Sequence, residues 1–180
     1  MTTWLALLRG VNLGKHNKVP MAELRSRLSE EGFGNVRTYI QSGNVIVDSD
    51  ETDPVSVGAI IRSVIEREFG VSTPAIMMTR AELAAAIAGN PFSGPDADPK
   101  AHRIMVLESA PSQERIETLD PDRSPGHRFV VEGRIIWLDV PQWSQSKLTN
   151  DYFDRRLGVV STMRNLSTCE VLLEMMDTDS

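Results

Sequence analysis

The order in which apolar periods follow one another over the first 78 residues restricts this chain to very few folds. Thr3–Arg9 is a short apolar-rich run of strand type. Turn formers follow (Gly10, Asn12, Gly14, Asn17), then Pro20 at a helix-opening position, then Met21, Leu24 and Leu28 at helical spacing up to Gly32. Asn35–Gln41 and Asn44–Asp48 read as two strands joined at Ser42-Gly43. Asp53-Pro54 opens a second helix with Val57, Ile60, Ile61, Val64 and Ile65 inward, and Gly70 stops it. Thr73–Met78 is a fourth strand. Strand, helix, strand, strand, helix, strand is the ferredoxin-like unit.

A capping pair, Thr79 with Glu82, predicts a further helix. The pattern then restarts. Arg103–Leu107 reads as a strand, Pro111–Leu119 as a short helix, and Phe129–Val131 with Ile135–Val140 as a hairpin. Helices are expected near Ser146–Leu157 and Asn165–Met176, so that a helix replaces the final strand of the second unit. The expected fold class is α+β: two ferredoxin-like α/β sandwich subdomains with mostly antiparallel sheets and helices on one face. The expected boundaries are residues 1–90 for the first lobe, 91–100 for a linker rich in Pro, Gly and Asp, and 101–180 for a second lobe with extra C-terminal helices.

Composition narrows the functional classes. Hydrophobic residues at 41% and charged residues at 24% suit a globular chain rather than a disordered one. Cys169 is the single cysteine, so neither an internal disulfide nor a cysteine-rich zinc site can form. No apolar run approaches membrane-spanning length, and Arg9 interrupts the N-terminal one; a soluble, cytosolic protein is expected, with no membrane partner. The net charge of −6 is uneven: residues 1–47 hold six of the 19 Lys/Arg but only three of the 25 Asp/Glu. That basic lobe is a weak form of the charge pattern that phosphate-bearing partners require.

Catalytic motifs are absent or incomplete. Gly10 to Gly14-Lys15 is similar to a phosphate loop, but three residues separate the glycines instead of four, and His16 stands where Ser or Thr would hold magnesium. His16, His102 and His127 share no metal-ligand spacing, and the Asp48, Asp50, Asp53 run lacks the glycine and glutamate of a calcium loop. Ser42 is not in a nucleophile elbow, and Cys169 falls on an apolar helical stripe as a buried thiol. No metal or cofactor is expected, and no reaction is assigned.

Topology nevertheless groups some residues. In such a unit the first two strands run parallel, with the third between them. The loop 10–19 and the turn 41–44 therefore share one edge of the sheet. That edge gathers Arg9, Asn12, Lys15, Lys18, Gln41, Ser42 and Asn44 beside the N-terminus of the Met21 helix.

The blocks Leu7-Leu8-Arg9-Gly10-Val11-Asn12-Leu13-Gly14, Lys18-Val19-Pro20-Met21 and Val36 to Val45 resemble the bacterial family catalogued as domain of unknown function 1697. Asn90-Pro91-Phe92, Ser146-Lys147-Leu148 and Thr162-Met163-Arg164-Asn165 fit as well, although Met163 and Leu166 depart from the family's usual tail. The resemblance implies two ferredoxin-like subdomains and brings no activity. Lys147, Arg164 and Asn165 join the candidate ligand-binding residues from the second lobe. The favoured expectation is a small anionic ligand, bearing phosphate or carboxylate, at the edge formed by loop 10–19 and turn 41–44. The alternatives are weak single-stranded nucleic-acid binding on an open sheet face and a scaffold with no ligand. Against nucleic acid, the third strand, Asn44-Val45-Ile46-Val47-Asp48, carries no aromatic residue, and only Tyr39 is available nearby.

Overall fold

The computed structural model describes residues 1–177, and the chain divides into two compact units. Of the described residues, the first takes 1–83 together with 172–177; the second takes residues 84–171. Among the described residues, no helix is long and apolar enough to cross a membrane.

The first unit runs β1 (Thr2–Leu8), α1 (Met21–Glu30), β2 (Gly34–Tyr39), β3 (Asn44–Ser49), α2 (Pro54–Phe69), β4 (Ala75–Thr79) and the start of α3 (Arg80–Ala88). Its sheet order is β2-β3-β1-β4 with every neighbouring pair antiparallel, so β1 and β2 run parallel. Alternation along β1 sends Trp4, Ala6 and Leu8 to the face covered by the two helices, where they meet Leu24 and Leu28 of α1 and Val57, Ile61, Val64 and Ile65 of α2. Sequence chemistry sets the bounds of α2. The Asp53 carboxylate accepts the Val55 and Ser56 N–H groups at 3.2 and 3.0 Å, and Gly70 closes the helix at φ +65°. The capping pair before α3 forms as read, with the Thr79 N–H donating to Glu82 at 2.7 Å and the Glu82 N–H to Thr79 Oγ1 at 3.2 Å.

The other face of this sheet is not open. Leu5, Leu7, Ile46, Ile76 and Met78 alternate with the helix-facing set, and all are buried. Arg37 of β2 donates to the carbonyl of Met175, and Arg80 pairs with Asp177, both from the end of α6 (Leu166–Asp177).

The second unit holds β5 (His102–Leu107), α4 (Gln113–Ile116), β6 (Arg128–Glu132), β7 (Ile135–Asp139), α5 (Asn150–Leu157) and β8 (Ser161–Asn165). Its sheet order, β6-β7-β5-β8, repeats that of the first. Met105, Leu107, Ile136 and Leu138 pack there against Phe153 and Leu157 of α5.

One expectation is corrected. The final strand of this unit is not replaced by a helix: β8 pairs antiparallel with β5, from Leu107 opposite Ser161 to Arg103 opposite Asn165. Ser-Thr-Met-Arg-Asn lacks the apolar alternation that marks a strand. What holds it is the ladder to β5 and a polar anchor, because buried Ser161 donates to Asp154 at 2.6 Å and accepts from Asn150 at 2.9 Å. The stretch 90–100 lies inside this second unit. Buried Asn90 ties it down, since its side chain meets His102 Nδ1 at 3.1 Å and accepts the Phe92 N–H at 3.0 Å.

Candidate functional site

The residues from Arg9 to Pro20 form a folded loop, not a slack connection. Asn12 and Asn17 close it through a backbone bond at 2.9 Å, and inside that closure Leu13 pairs with His16 around Gly14-Lys15. Gly10, Asn12, Gly14 and Asn17 all take positive φ, between +50° and +68°, a region that glycine and asparagine tolerate best.

Asn12 holds this loop to the rest of the edge. Its Nδ2 donates to the Val19 carbonyl at 2.9 Å and to the Gln41 carbonyl at 2.7 Å, while its Oδ1 accepts the Val19 N–H at 2.8 Å. These partners fix the amide's orientation, because the reverse would set an NH2 group against the Val19 N–H. Asn17 donates to the Gly10 carbonyl at 3.0 Å, and Thr73 brackets Arg9, accepting its N–H at 3.2 Å and donating to its carbonyl at 2.7 Å.

The turn from β2 to β3 closes where Tyr39 stands opposite Asn44. Asn44 is fully buried, and its Nδ2 donates to the Tyr39 carbonyl at 3.1 Å and to Ser42 Oγ at 3.0 Å. Gly43 is required here: its φ is +83°, its carbonyl takes the Leu8 N–H at 2.8 Å, and a Cβ would stand 2.6 Å from Leu8 Cβ.

Seven of the ten sequence-nominated residues thus fall on the first unit's sheet edge: Arg9, Asn12, Lys15, Lys18, Gln41, Ser42 and Asn44. Lys15, Lys18, Gln41 and Ser42 are exposed, Arg9 and Asn12 are half-buried, and Asn44 is buried. Residues 9–22 and 32–47 contain no Asp or Glu, so neither segment brings a carboxylate to neutralise the lysines. The N-cap of α1 is Pro20, which makes no side-chain cap bond, so the first-turn N–H groups are left uncapped by it, and Glu23 in that same turn offsets part of their positive charge.

The other three nominated residues belong to the second unit. Lys147 is exposed, and its N–H donates to Ser124 Oγ at 3.1 Å, beside a turn in which Ser124 Oγ and His127 Nδ1 lie 2.7 Å apart. Arg164 donates to Thr162 Oγ1 and to the Met163 carbonyl, each at 2.8 Å, and its withdrawal from water pulls its guanidinium down to about 10. Asn165 ends β8 and is exposed. Cys169 is buried as read; burial pushes its thiol up to about 12, with nearby Arg164 opposing. Among the described residues, no cluster of three His, Cys, Asp or Glu could hold a metal ion.

Three features escaped the reading of the sequence. Thr73 as the clamp on Arg9 follows from no local pattern, because the two residues are 64 positions apart. The exposure of Leu13 and Ile40 has no signal in the sequence, where Ile40 falls inside the strand expected over Asn35–Gln41. It stands instead at φ +48°, just past the end of β2. The face of the first sheet away from its helices, where nucleic-acid modules stack bases, has Leu5, Leu7, Ile46, Ile76 and Met78 buried.

Fold and edge together define an α+β protein of two ferredoxin-like units, the first carrying a cationic loop tied to a hairpin turn. The chain belongs to the family described as protein of unknown function (DUF1697), whose model matches residues 1–137. A solved structure of a conserved bacterial protein from Streptococcus pneumoniae is similar in fold, with a TM-score of 0.68 and 21% identity, covering 98% of this chain and 99% of that one. No curated protein matches the chain.

Proposed function

We propose that the edge formed by loop 10–19 and turn 41–44 binds a small anionic ligand through a phosphate or carboxylate group. The observation that carries this reading is the division of labour at the edge. Asn12 and Asn44 spend their amides on the chain's own backbone and turn, while Lys15 and Lys18 stand exposed, with no ion pair among the described residues. A loop whose shape does not depend on its lysines keeps their charge for something else. In this reading Lys15 and Lys18 supply the charge, and Gln41, Ser42 and the first-turn N–H groups of α1 supply donors. Arg9 adds positive charge from beside the loop.

The scaffold alternative draws support from the same two asparagines, whose role is that of a joint. The two readings separate on the lysines. Amide NMR with added inorganic phosphate is the test: saturable shifts at residues 13–22 and 41–44 support the ligand reading, and unmoved peaks there at every concentration leave only the joint.

A further inference from the structure

Two large apolar side chains are exposed where loop 10–19 and the β2–β3 turn are joined. Leu13 is 65% exposed and Ile40 is 52% exposed. Each is the chain neighbour of one end of the 2.7 Å bond from Asn12 to Gln41, so both flank the point where loop and turn are joined. Leu13 closes the small reversal that carries Lys15.

Ile40 is the less expected of the two. At φ +48° it occupies the left-handed region, where a β-branched side chain meets steric opposition from its own backbone. The other positive-φ positions of the two segments are all glycine or asparagine: Gly10, Asn12, Gly14, Asn17 and Gly43. Asparagine or glycine would make the same turn at 40 without strain. The isoleucine leaves about half of its surface exposed, so the fold recovers only part of the burial that a core isoleucine gives.

We infer that the edge takes an anion carrying an apolar group next to its phosphate or carboxylate. Lys15 and Lys18 meet the charge, and Leu13 and Ile40 cover the apolar part. The inference rests on the anion reading above and adds the class of ligand: an alkyl or aryl phosphate or carboxylate, with bare phosphate its poorest member. The same chemistry is offered by a free metabolite and by an anionic lipid headgroup.

The test is a titration of the whole protein with inorganic, methyl, butyl and hexyl phosphate, and separately with phosphatidylglycerol vesicles. Affinity is expected to rise along the series, by up to about fourfold for each methylene covered. Leu13→Ala and Ile40→Asn should each flatten that rise while leaving the affinity for inorganic phosphate unchanged. Vesicle binding lost in both variants supports the inference with a lipid as the source; a rising series without vesicle binding supports it with a soluble ligand. If inorganic phosphate binds and the series is flat, the inference is overturned and the anion reading stands. If none of the four phosphates binds, both are overturned.

Discussion

The Asn12 side chain reaches the Gln41 carbonyl at 2.7 Å and so joins the loop after the first strand to the turn after the second. The bond exists because parallel β1 and β2 end at the same edge, with antiparallel β3 between them. It joins two segments, 9–22 and 32–47, that carry no Asp or Glu and whose turns are set by asparagines and glycines.

Asn12→Ala removes three hydrogen bonds and puts alanine at φ +55°. Leaving the Val19 and Gln41 groups unsatisfied should cost about 1–3 kcal/mol. Urea unfolding checks this: the midpoint falls with an unchanged slope. A midpoint within error of wild type means the loop is held elsewhere.

Gly43→Ala should destabilise the first unit. The new methyl meets Leu8 Cβ at 2.6 Å and Val11 Cγ2 at 2.8 Å, and neither strand can yield without breaking the Leu8–Gly43 backbone bond. Overpacking of this kind costs about 1–3 kcal/mol, and positive φ adds to it. A thermal melt reads the loss.

Ile40→Asn is expected to move the other way. Relief of a strained β-branched residue at an exposed turn should leave stability equal or higher by up to about 1 kcal/mol. A large loss in the same melt would show that Ile40 packs within the fold.

The first unit was legible because its strands alternate and its helices announce themselves with Pro20, Asp53-Pro54 and Thr79–Glu82. Once the strand order was read, the meeting of loop 10–19 with turn 41–44 followed from topology, with no coordinates. Strand β8 was not legible, because Ser161–Asn165 is held by pairing and by a buried serine rather than by apolar alternation. Ile40 was absorbed into a strand for the opposite reason: its side chain suits a strand, and only the backbone reversal at φ +48° removes it. Long-range clamps such as Thr73 on Arg9 leave no local signal at all.

Cys169 gives a pH dependence with a defined sign. Its thiol lies near 12 in the folded protein against 9.0 for the free group, because burial disfavours the thiolate. The unfolded chain therefore releases this proton first. The stabilising contribution of the neutral thiol is full below about pH 9 and is lost as pH rises toward 12. Denaturant melts across that window should fall more steeply for wild type than for Cys169→Ala. Parallel slopes would show a thiol in contact with water, and such a thiol would also react quickly with an alkylating reagent at neutral pH.

Whether the loop lysines hold an anion is read by calorimetry with inorganic phosphate on the wild type and on the Lys15→Ala, Lys18→Ala double variant. Saturable, salt-sensitive binding to wild type is expected, with weaker binding to the double variant and stability changed by no more than about 0.5 kcal/mol, as for other exposed charges. No binding to wild type, or equal binding to both proteins, would contradict the anion reading.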